Sequence, residues 1–529
     1  MSDGERSGVG WLRQTGTPRT LGQLLLAALS GCGYFVGFVG FDVWPLIFVF
    51  LVPVLWAIRD VTPRRAVLLG AVAGLVANFG GYYWVIHLLQ EFADLSLAPA
   101  LLGWFLLCAY QGFLVGVFIG LTRLFTVRLG WPVLASVTLT FPFAETYYPL
   151  LFPSYVGNAL YQVPVLTQIV ELFGMLGLTV LITLVNGVIY ELLVARVERR
   201  PIARREVLPA LGYIGFAIVF GLIRLPQIDA RTAAAPTAKV GIVQTNLGAR
   251  DKAEKSSEFI RRHQQMTREL LATRPDLDLV VWPESAYNRY IRRDAKNLSK
   301  EVTPGIQVPV ILGALTYEKG KGDRRNVYNT AVLTSSTGDV IGMFDKIELL
   351  AFGETLPFWD TLPQLQEWFP RSSFFTRGKS LDHFQISRVG KVLPMICYED
   401  IIPDFVRRMW RASGPPAALV NITNDSWYGD THEPIIHLVL ASFRSIETRR
   451  AMIRSTNTGI SAFIDPAGRI TKRTGQWTQE TLVHEVPLFE DGLTPLYQYL
   501  GDAIGRLGLF YVVLGLGRIW LRRGAPNKR

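Results

Sequence analysis

Apolar runs close to the roughly 20 residues that a bilayer-spanning helix needs fill the first 230 residues of this chain. They read as spans at 21–41, 44–58, 66–88, 97–121, 131–150, 165–193 and 207–225, with one more at 501–520. The run at 44–58 is short and suits a tilted or partly buried helix. Half of the 529 residues are hydrophobic and 18% are charged, against roughly 25% charged in an ordinary soluble domain. That excludes a disordered chain, a collagen-like chain and an ordinary cytosolic enzyme. The 43 acidic residues and long polar stretches argue against a pure transporter. A membrane part joined to a soluble part is expected.

Basic residues orient the chain. Arg6, Arg13 and Arg19 precede the first run, and Arg59, Arg64 and Arg65 follow the second. Arg123 and Arg128 follow the fourth, and Arg196, Arg199, Arg200, Arg204 and Arg205 the sixth. Arg518, Arg522, Arg523, Lys528 and Arg529 follow the last. The alternate loops near 42–43, 89–96 and 151–164 carry no lysine or arginine. This positive-inside pattern predicts cytoplasmic termini and an outer location for 226–500. It also accounts for much of the net charge of +11. No basic stripe is interleaved with stacking aromatics, so no nucleic-acid partner is expected. The expected units are a membrane domain at 1–228, a soluble domain at 236–490 and a closing transmembrane helix at 500–523.

Three cysteines rule out a disulfide framework. Leu29-Ser-Gly-Cys32 has the form of a lipoprotein cleavage signal, but apolar sequence continues through Val39 with no polar tether, which favours an uncut helix. Cys108, in mid-span, reads as packing. From about 236 the pattern changes. Lys239–Gln244, Leu279–Trp282, Val308–Leu315, Val327–Leu333, Leu393–Cys397 and Ala418–Ile422 read as strands, and 256–273, 400–412 and 434–450 as helices. Such alternation predicts a layered α/β domain. No Gly-rich phosphate loop or metal-ligand spacing is present, with His432 and His437 the close histidine pair. No cofactor or metal is expected.

Three places carry chemistry. Cys397, in Pro394-Met-Ile-Cys-Tyr-Glu-Asp400, ends an apolar strand, with a helix expected from Pro403. There backbone N–H groups and a helix dipole would stabilise a thiolate. Glu284, in Val281-Trp-Pro-Glu-Ser285, directly follows a buried strand. Lys346 sits among apolar residues in Phe344-Asp-Lys-Ile-Glu-Leu-Leu-Ala-Phe-Gly-Glu354. Each alone has an ordinary reading, as packing, a cap or a solvated charge. Together, in one α/β domain, they supply a general base, a cation and a nucleophile, the parts acyl transfer needs.

On these residues the sequence resembles the nitrilase (carbon–nitrogen hydrolase) superfamily. With the membrane helices before and after, it is similar to the apolipoprotein N-acyltransferases of Gram-negative bacteria. Further blocks carry the resemblance: Tyr328-Asn-Thr330, Phe352-Gly-Glu354, Ile396-Cys-Tyr-Glu399, Asn424-Asp-Ser-Trp-Tyr-Gly429 and Arg454-Ser-Thr-Asn-Thr-Gly459. The implied fold is a polytopic α-helical membrane domain of about eight spans plus an α-β-β-α nitrilase-like sandwich on the outer side. The implied catalytic set is Glu284 as general base, Lys346 as oxyanion stabiliser and Cys397 as nucleophile. Glu354 would hold the lysine and help to position the acceptor amine. Tyr398 and Glu399 match the residues after the nucleophile, with the Tyr398 N–H sharing the oxyanion. One departure stands after Val243-Gln-Thr-Asn246, where Gly248–Glu254 replaces an expected tryptophan.

The resemblance implies transfer of the sn-1 acyl chain of a phospholipid, phosphatidylethanolamine by family likeness, through a thioester on Cys397. The acceptor would be the α-amine of an N-terminal diacylglyceryl-cysteine of an apolipoprotein, at the outer face of the inner membrane. A membrane-anchored nitrilase or amidase using water is the rival, and a transporter or scaffold with an inactive domain a second. The aromatic run from Leu349 to Phe375, with Phe352, Phe358, Trp359, Trp368, Phe369 and Phe374, reads either as a packed loop or as a lid dipping into the interface.

Overall fold

The computed structural model describes residues 17–248, 256–320, 325–350, 353–355, 375–489 and 492–524. Among these, five helices are long and apolar enough to cross a membrane: Thr20–Gly37, Leu97–Leu129, Met175–Glu198, Arg204–Ala234 and Ala503–Arg522. A sixth follows if Pro63–Gly81 and Val85–Glu91, bent by 59° at their break, count as one span. Eight runs were expected to span, and the differences have local causes. The run at 44–58 splits into a 3₁₀ turn, Trp44–Phe48, and a seven-residue helix, Leu51–Ala57. The run at 131–150 gives a 15-residue helix, Val133–Tyr147, with Pro142 inside it. The run at 165–193 is interrupted before its long helix. Gly174, at φ +63°, separates Val170–Phe173 from Met175–Glu198, in a backbone region that residues with a Cβ rarely enter. Arg6, Arg13, Lys528 and Arg529 lie outside the described residues.

Helices Pro63–Gly81 and Leu97–Leu129 meet along a seam of glycines. A Cβ on Gly74 would lie 1.9 Å from the Gly112 carbonyl oxygen, and one on Gly70 would lie 2.7 Å from that of Val115. Within a bilayer, helices gain nothing hydrophobic by leaving lipid for each other, so close backbone approach at small residues supplies the contact.

The C-terminal half is a sandwich. One sheet holds β1 (Thr237–Gln244), β2 (Leu279–Val281), β3 (Tyr287–Arg292), β4 (Val310–Lys319), β5 (Arg325–Thr334) and β6 (Val340–Asp345), with β13 (Glu480–Pro487) at its far edge. The other runs in the order β12 (Ile470–Arg473), β11 (Ala462–Ile464), β10 (Ala451–Thr456), β9 (Ala418–Thr423), β8 (Gly390–Ile396), β7 (Phe384–Ile386). Ile242, Val281, Ile311 and Leu333 of the first sheet share one core with Leu393, Met395, Ile422 and Met452 of the second. Parallel strands β8, β9 and β10 lie in the middle of the second sheet, and every residue of β9 and β10 is buried. Helix Ser256–Thr273 covers the first sheet through Ile260, Met266 and Leu270. Helices Pro403–Ser413 and Glu433–Thr448 cover the second through Phe405, Met409, Leu438 and Ala441. The expected α/β layering is therefore present as helix, sheet, sheet, helix.

Helix Glu433–Thr448 also joins the two halves. Its Val439, Phe443 and Ile446 pack with Val156, Leu160 and Ile169 of the membrane part. Just beyond it, buried Arg449 donates to Glu171 at 2.7 and 3.0 Å and to Gln168 at 2.8 Å, while Arg224 holds Glu171 from the other side at 2.6 and 2.7 Å. Burying such charges is costly unless every one is paired, so this joint is specific in geometry.

The glycine seam gives a direct test. Gly74→Val should overpack it by about 1–3 kcal/mol, seen as a lower melting temperature of the detergent-solubilised protein. Gly212→Ala, where an added Cβ meets nothing within 4 Å, should leave that temperature unchanged.

Candidate active site

Three strand ends deliver the three residues. After β2 the chain stays beside β4, because Trp282 N–H donates to the Ile311 carbonyl at 2.8 Å and Gly313 N–H to that of Pro283 at 3.2 Å. Position 313 has to be glycine for this approach, since a Cβ there would lie 2.5 Å from Glu284 Cα. The buried Trp282 indole donates to Thr267 at 2.9 Å and fixes the strand end against helix Ser256–Thr273. Lys346 follows β6, with its N–H on the Asn329 carbonyl and its carbonyl accepting from Gly378, both at 2.8 Å. Cys397 follows β8 and opens a 3₁₀ turn, Cys397–Ile401, at φ +52°. Holding a cysteine in that left-handed conformation costs on the order of 1–3 kcal/mol, so the surroundings must enforce it.

Glu284, Lys346 and Glu354 form one buried cluster. Lys346 Nζ lies 2.7 and 2.9 Å from the two Glu354 oxygens and 3.8 Å from Glu284 Oε1. The Asn329 amide bridges both carboxylates, at 2.7 Å to Glu284 and 3.0 Å to Glu354. Glu354 also accepts from Leu350 N–H at 3.0 Å. Burial alone would push Lys346 down, but the carboxylates of Glu354 and Glu284 hold the ammonium above its ordinary range.

Cys397 belongs to the same electrostatic unit. Burial pushes its thiol well up; Lys346 opposes that, and Glu284, Asp425 and Glu354 add to it. The sequence reading of a dipole-stabilised thiolate is corrected here. A 3₁₀ turn stands between the sulfur and the helix that starts at Pro403, and desolvation dominates, so the resting sulfur is protonated. A thiol in that state is a poor nucleophile unless a base takes its proton.

The residues after Cys397 diverge. Glu399 is fully buried and accepts from Ile396 N–H at 2.8 Å, Ile347 N–H at 2.6 Å and Glu348 N–H at 3.1 Å. It thereby ties the strand before Cys397 to the loop after Lys346. Burial raises its carboxyl to about 8, against the lowering effect of those three donors. Tyr398 turns toward the membrane part, and its hydroxyl donates to the Leu151 carbonyl at 3.2 Å. It lines a cavity of about 100 Å³ between the two halves, with Phe38, Trp84 and Phe152 on the membrane side and Tyr428 and Glu433 on the other.

Behind Cys397 lies a buried charged network. His437 contacts Asp400 and Asp425, each at 3.0 Å, and Arg454 pairs with the same two aspartates. Asp425, Glu433 and His437 bring three potential metal-ligand atoms within 4.8 Å of one another. That set does not fit a metal, because both His437 nitrogens already face carboxylates and Arg454 occupies Asp425. His432 packs apart, against the Phe41 and Tyr83 rings. Of the aromatic run, Phe352, Phe358, Trp359, Trp368, Phe369 and Phe374 lie outside the described residues, as do 249–254 of the segment replacing the expected tryptophan.

Comparison with known proteins covers both halves. The carbon-nitrogen hydrolase family matches residues 239–490, which include every residue of the cluster, and the apolipoprotein N-acyltransferase N-terminal domain matches residues 30–188. The chain is 30% identical to the apolipoprotein N-acyltransferase of Geobacter metallireducens, over 90% of this chain and 91% of that one. The chain belongs to the apolipoprotein N-acyltransferase family. The member from Brucella melitensis is 32% identical over 83% of each chain, and that from Bdellovibrio bacteriovorus 27% over 95% of this chain and 94% of that one.

For this family member, sequence reasoning reached Glu284, Lys346, Cys397, Glu354 and Glu399, all of them buried in or tied to the cluster. It gave no role to Asn329, although Tyr328-Asn-Thr330 was among the resemblance blocks. An amide opposite two glutamates is visible only once β5 pairs with β6. It also passed over Asn421, and read His437 only as half of a close histidine pair.

The network predicts a pH dependence. Burial and Arg454 lower the His437 pKa, but Asp400 and Asp425 overcome them and raise it from 6.5 to about 10. Its stabilising contribution is therefore complete below pH 6.5 and is lost as the pH climbs to about 10. The melting temperature of the parent should fall more steeply across that window than that of His437→Gln. Parallel profiles would contradict the assignment.

Proposed function

We propose that this protein moves the sn-1 acyl chain of a phospholipid onto the α-amine of a lipoprotein's N-terminal diacylglyceryl-cysteine, in two steps on Cys397. The observation that carries this reading is the buried Glu284–Lys346–Glu354 cluster beside a strand-end cysteine, with Tyr398 leading from it to a cavity at the membrane part.

In the first step Glu284 takes the thiol proton and Cys397 Sγ attacks the ester carbonyl. Lys346, kept charged by its two carboxylates, meets the developing oxyanion together with the Tyr398 N–H. The carbon–oxygen bond breaks, Glu284 returns the proton to the leaving alkoxide, and lysophospholipid departs. A thioester remains. In the second step Glu284 accepts a proton from the incoming ammonium, because only the free amine is nucleophilic. That proton passes to solvent; as the carbon–nitrogen bond forms, Glu284 takes the nitrogen's next proton and gives it to the departing sulfur, so the carbon–sulfur bond breaks and the thiol is restored. An amide is far more stable than a thioester, so this step runs downhill. Glu354 steadies Lys346 and faces the amine.

Phosphatidylethanolamine is the proposed donor. The proposed arrangement is an inner-membrane protein of about eight spans, with cytoplasmic termini and a periplasmic catalytic domain. Its units are a membrane domain at 1–228, a catalytic domain at 236–490 and a closing helix at 500–523. The charge bias of the short loops supports this orientation. A small-molecule amidase would need no such membrane base.

Supplied with labelled phosphatidylethanolamine and a diacylglyceryl lipopeptide, the protein should yield N-acyl lipopeptide. Free fatty acid as the main product would favour the hydrolase instead. Cys397→Ala should abolish transfer, and Lys346→Met should slow it by roughly 10²–10³, with folding intact by circular dichroism. An active Cys397→Ala protein would refute the proposal.

A further inference from the structure

Met395 of β8, Asn421 of β9 and Arg454 of β10 lie side by side across the middle of the second sheet. Asn421 and Arg454 are fully buried, in strands whose other residues include Val420, Ile422, Met452 and Ile453. An arginine and an amide at such positions are costly beside the apolar residues that would pack there equally well. Their bonds point one way. Asn421 Nδ2 donates to the Cys397 carbonyl oxygen at 3.2 Å, and Asn421 Oδ1 accepts from Arg454 Nη1 at 3.0 Å. Arg454 is clamped by Asp400 and by Asp425, the latter at 3.2 Å, and His437 bridges those two aspartates. With the amide oxygen taken by Arg454, the Asn421 NH₂ can face only the Cys397 side.

Cys397 is thus pinned at both ends. Glu399 holds the preceding N–H, of Ile396, and Asn421 holds the carbonyl. Between those two anchors the backbone takes its left-handed turn. We infer that Asn421 and Arg454 are positioning residues for the nucleophile, fixing the Cys397 backbone from behind so that its sulfur faces Lys346 and Glu284. This inference rests on the reading of Cys397 as nucleophile. A misplacement of about 1 Å at a reacting atom can cost about 10² in rate, and the row acts on that displacement rather than on substrate binding.

The test uses the full-length protein in detergent micelles with phosphatidylethanolamine alone. It follows the first burst of lysophospholipid release. Asn421→Asp cannot donate to the Cys397 carbonyl and adds a charge. Asn421→Leu removes the donor without one. Both should lower the limiting burst rate by about 10²-fold, while the half-saturating phospholipid concentration stays at the parental value. Parental burst rates in folded N421L would overturn the inference. So would a slow N421D beside a normal N421L, because charge rather than position would then be the cause. Loss of fold in both would assign the row to sheet stability and overturn it too. Cys397→Ala runs alongside, and a burst that survives in it would defeat the nucleophile reading itself, a separate failure.

Discussion

Lys346 carries a positive charge inside the sandwich because two glutamates reach it from different parts of the chain. Glu284 comes from the end of β2 and Glu354 from the loop after β6, and Asn329 of β5 holds the two carboxylates together. An isolated ammonium at such depth would give up its proton. With its partners in place it stays charged, and the protein keeps a fixed cation beside a sulfur that burial leaves protonated. Charge is therefore stored in the cluster and not on Cys397.

That division of labour suits a site placed against a membrane. The Tyr398 hydroxyl reaches the membrane part, while Glu399, the next residue, ties the Cys397 strand to the Lys346 loop. Helix Glu433–Thr448 packs on the sandwich with one face and on the membrane part with another. Arg449, clasped by Glu171, locks the joint. The sandwich is thus held against the membrane part by paired charges and apolar packing together, and the cavity between the halves borders the residue after Cys397.

Much of this was legible in the order of residues, and the exceptions have a common cause. Apolar runs revealed a membrane part because lipid imposes length and composition locally. Short alternating segments revealed a layered α/β domain, which the family resemblance narrowed to a sandwich; Glu284 and Cys397 stood out at the ends of strands and Lys346 among apolar residues. What stayed hidden depends on residues distant in sequence. The spans read at 44–58 and 165–193 are broken by turns that hydropathy does not register. Asn329 and Asn421 look like ordinary strand amides until neighbouring strands place carboxylates and a carbonyl against them. The desolvation of Cys397 is not visible in the local sequence, because burial is a property of the whole fold.

The central claim is that the acyl chain rests covalently on one sulfur between donor and acceptor. Mass spectrometry of the protein after exposure to phospholipid alone, with no acceptor present, tests this most directly. The account predicts an acyl-sized mass increase on the peptide holding Cys397, removed by neutral hydroxylamine. An unmodified Cys397 peptide, or an adduct on another residue, in a preparation that still acylates lipopeptide would contradict it.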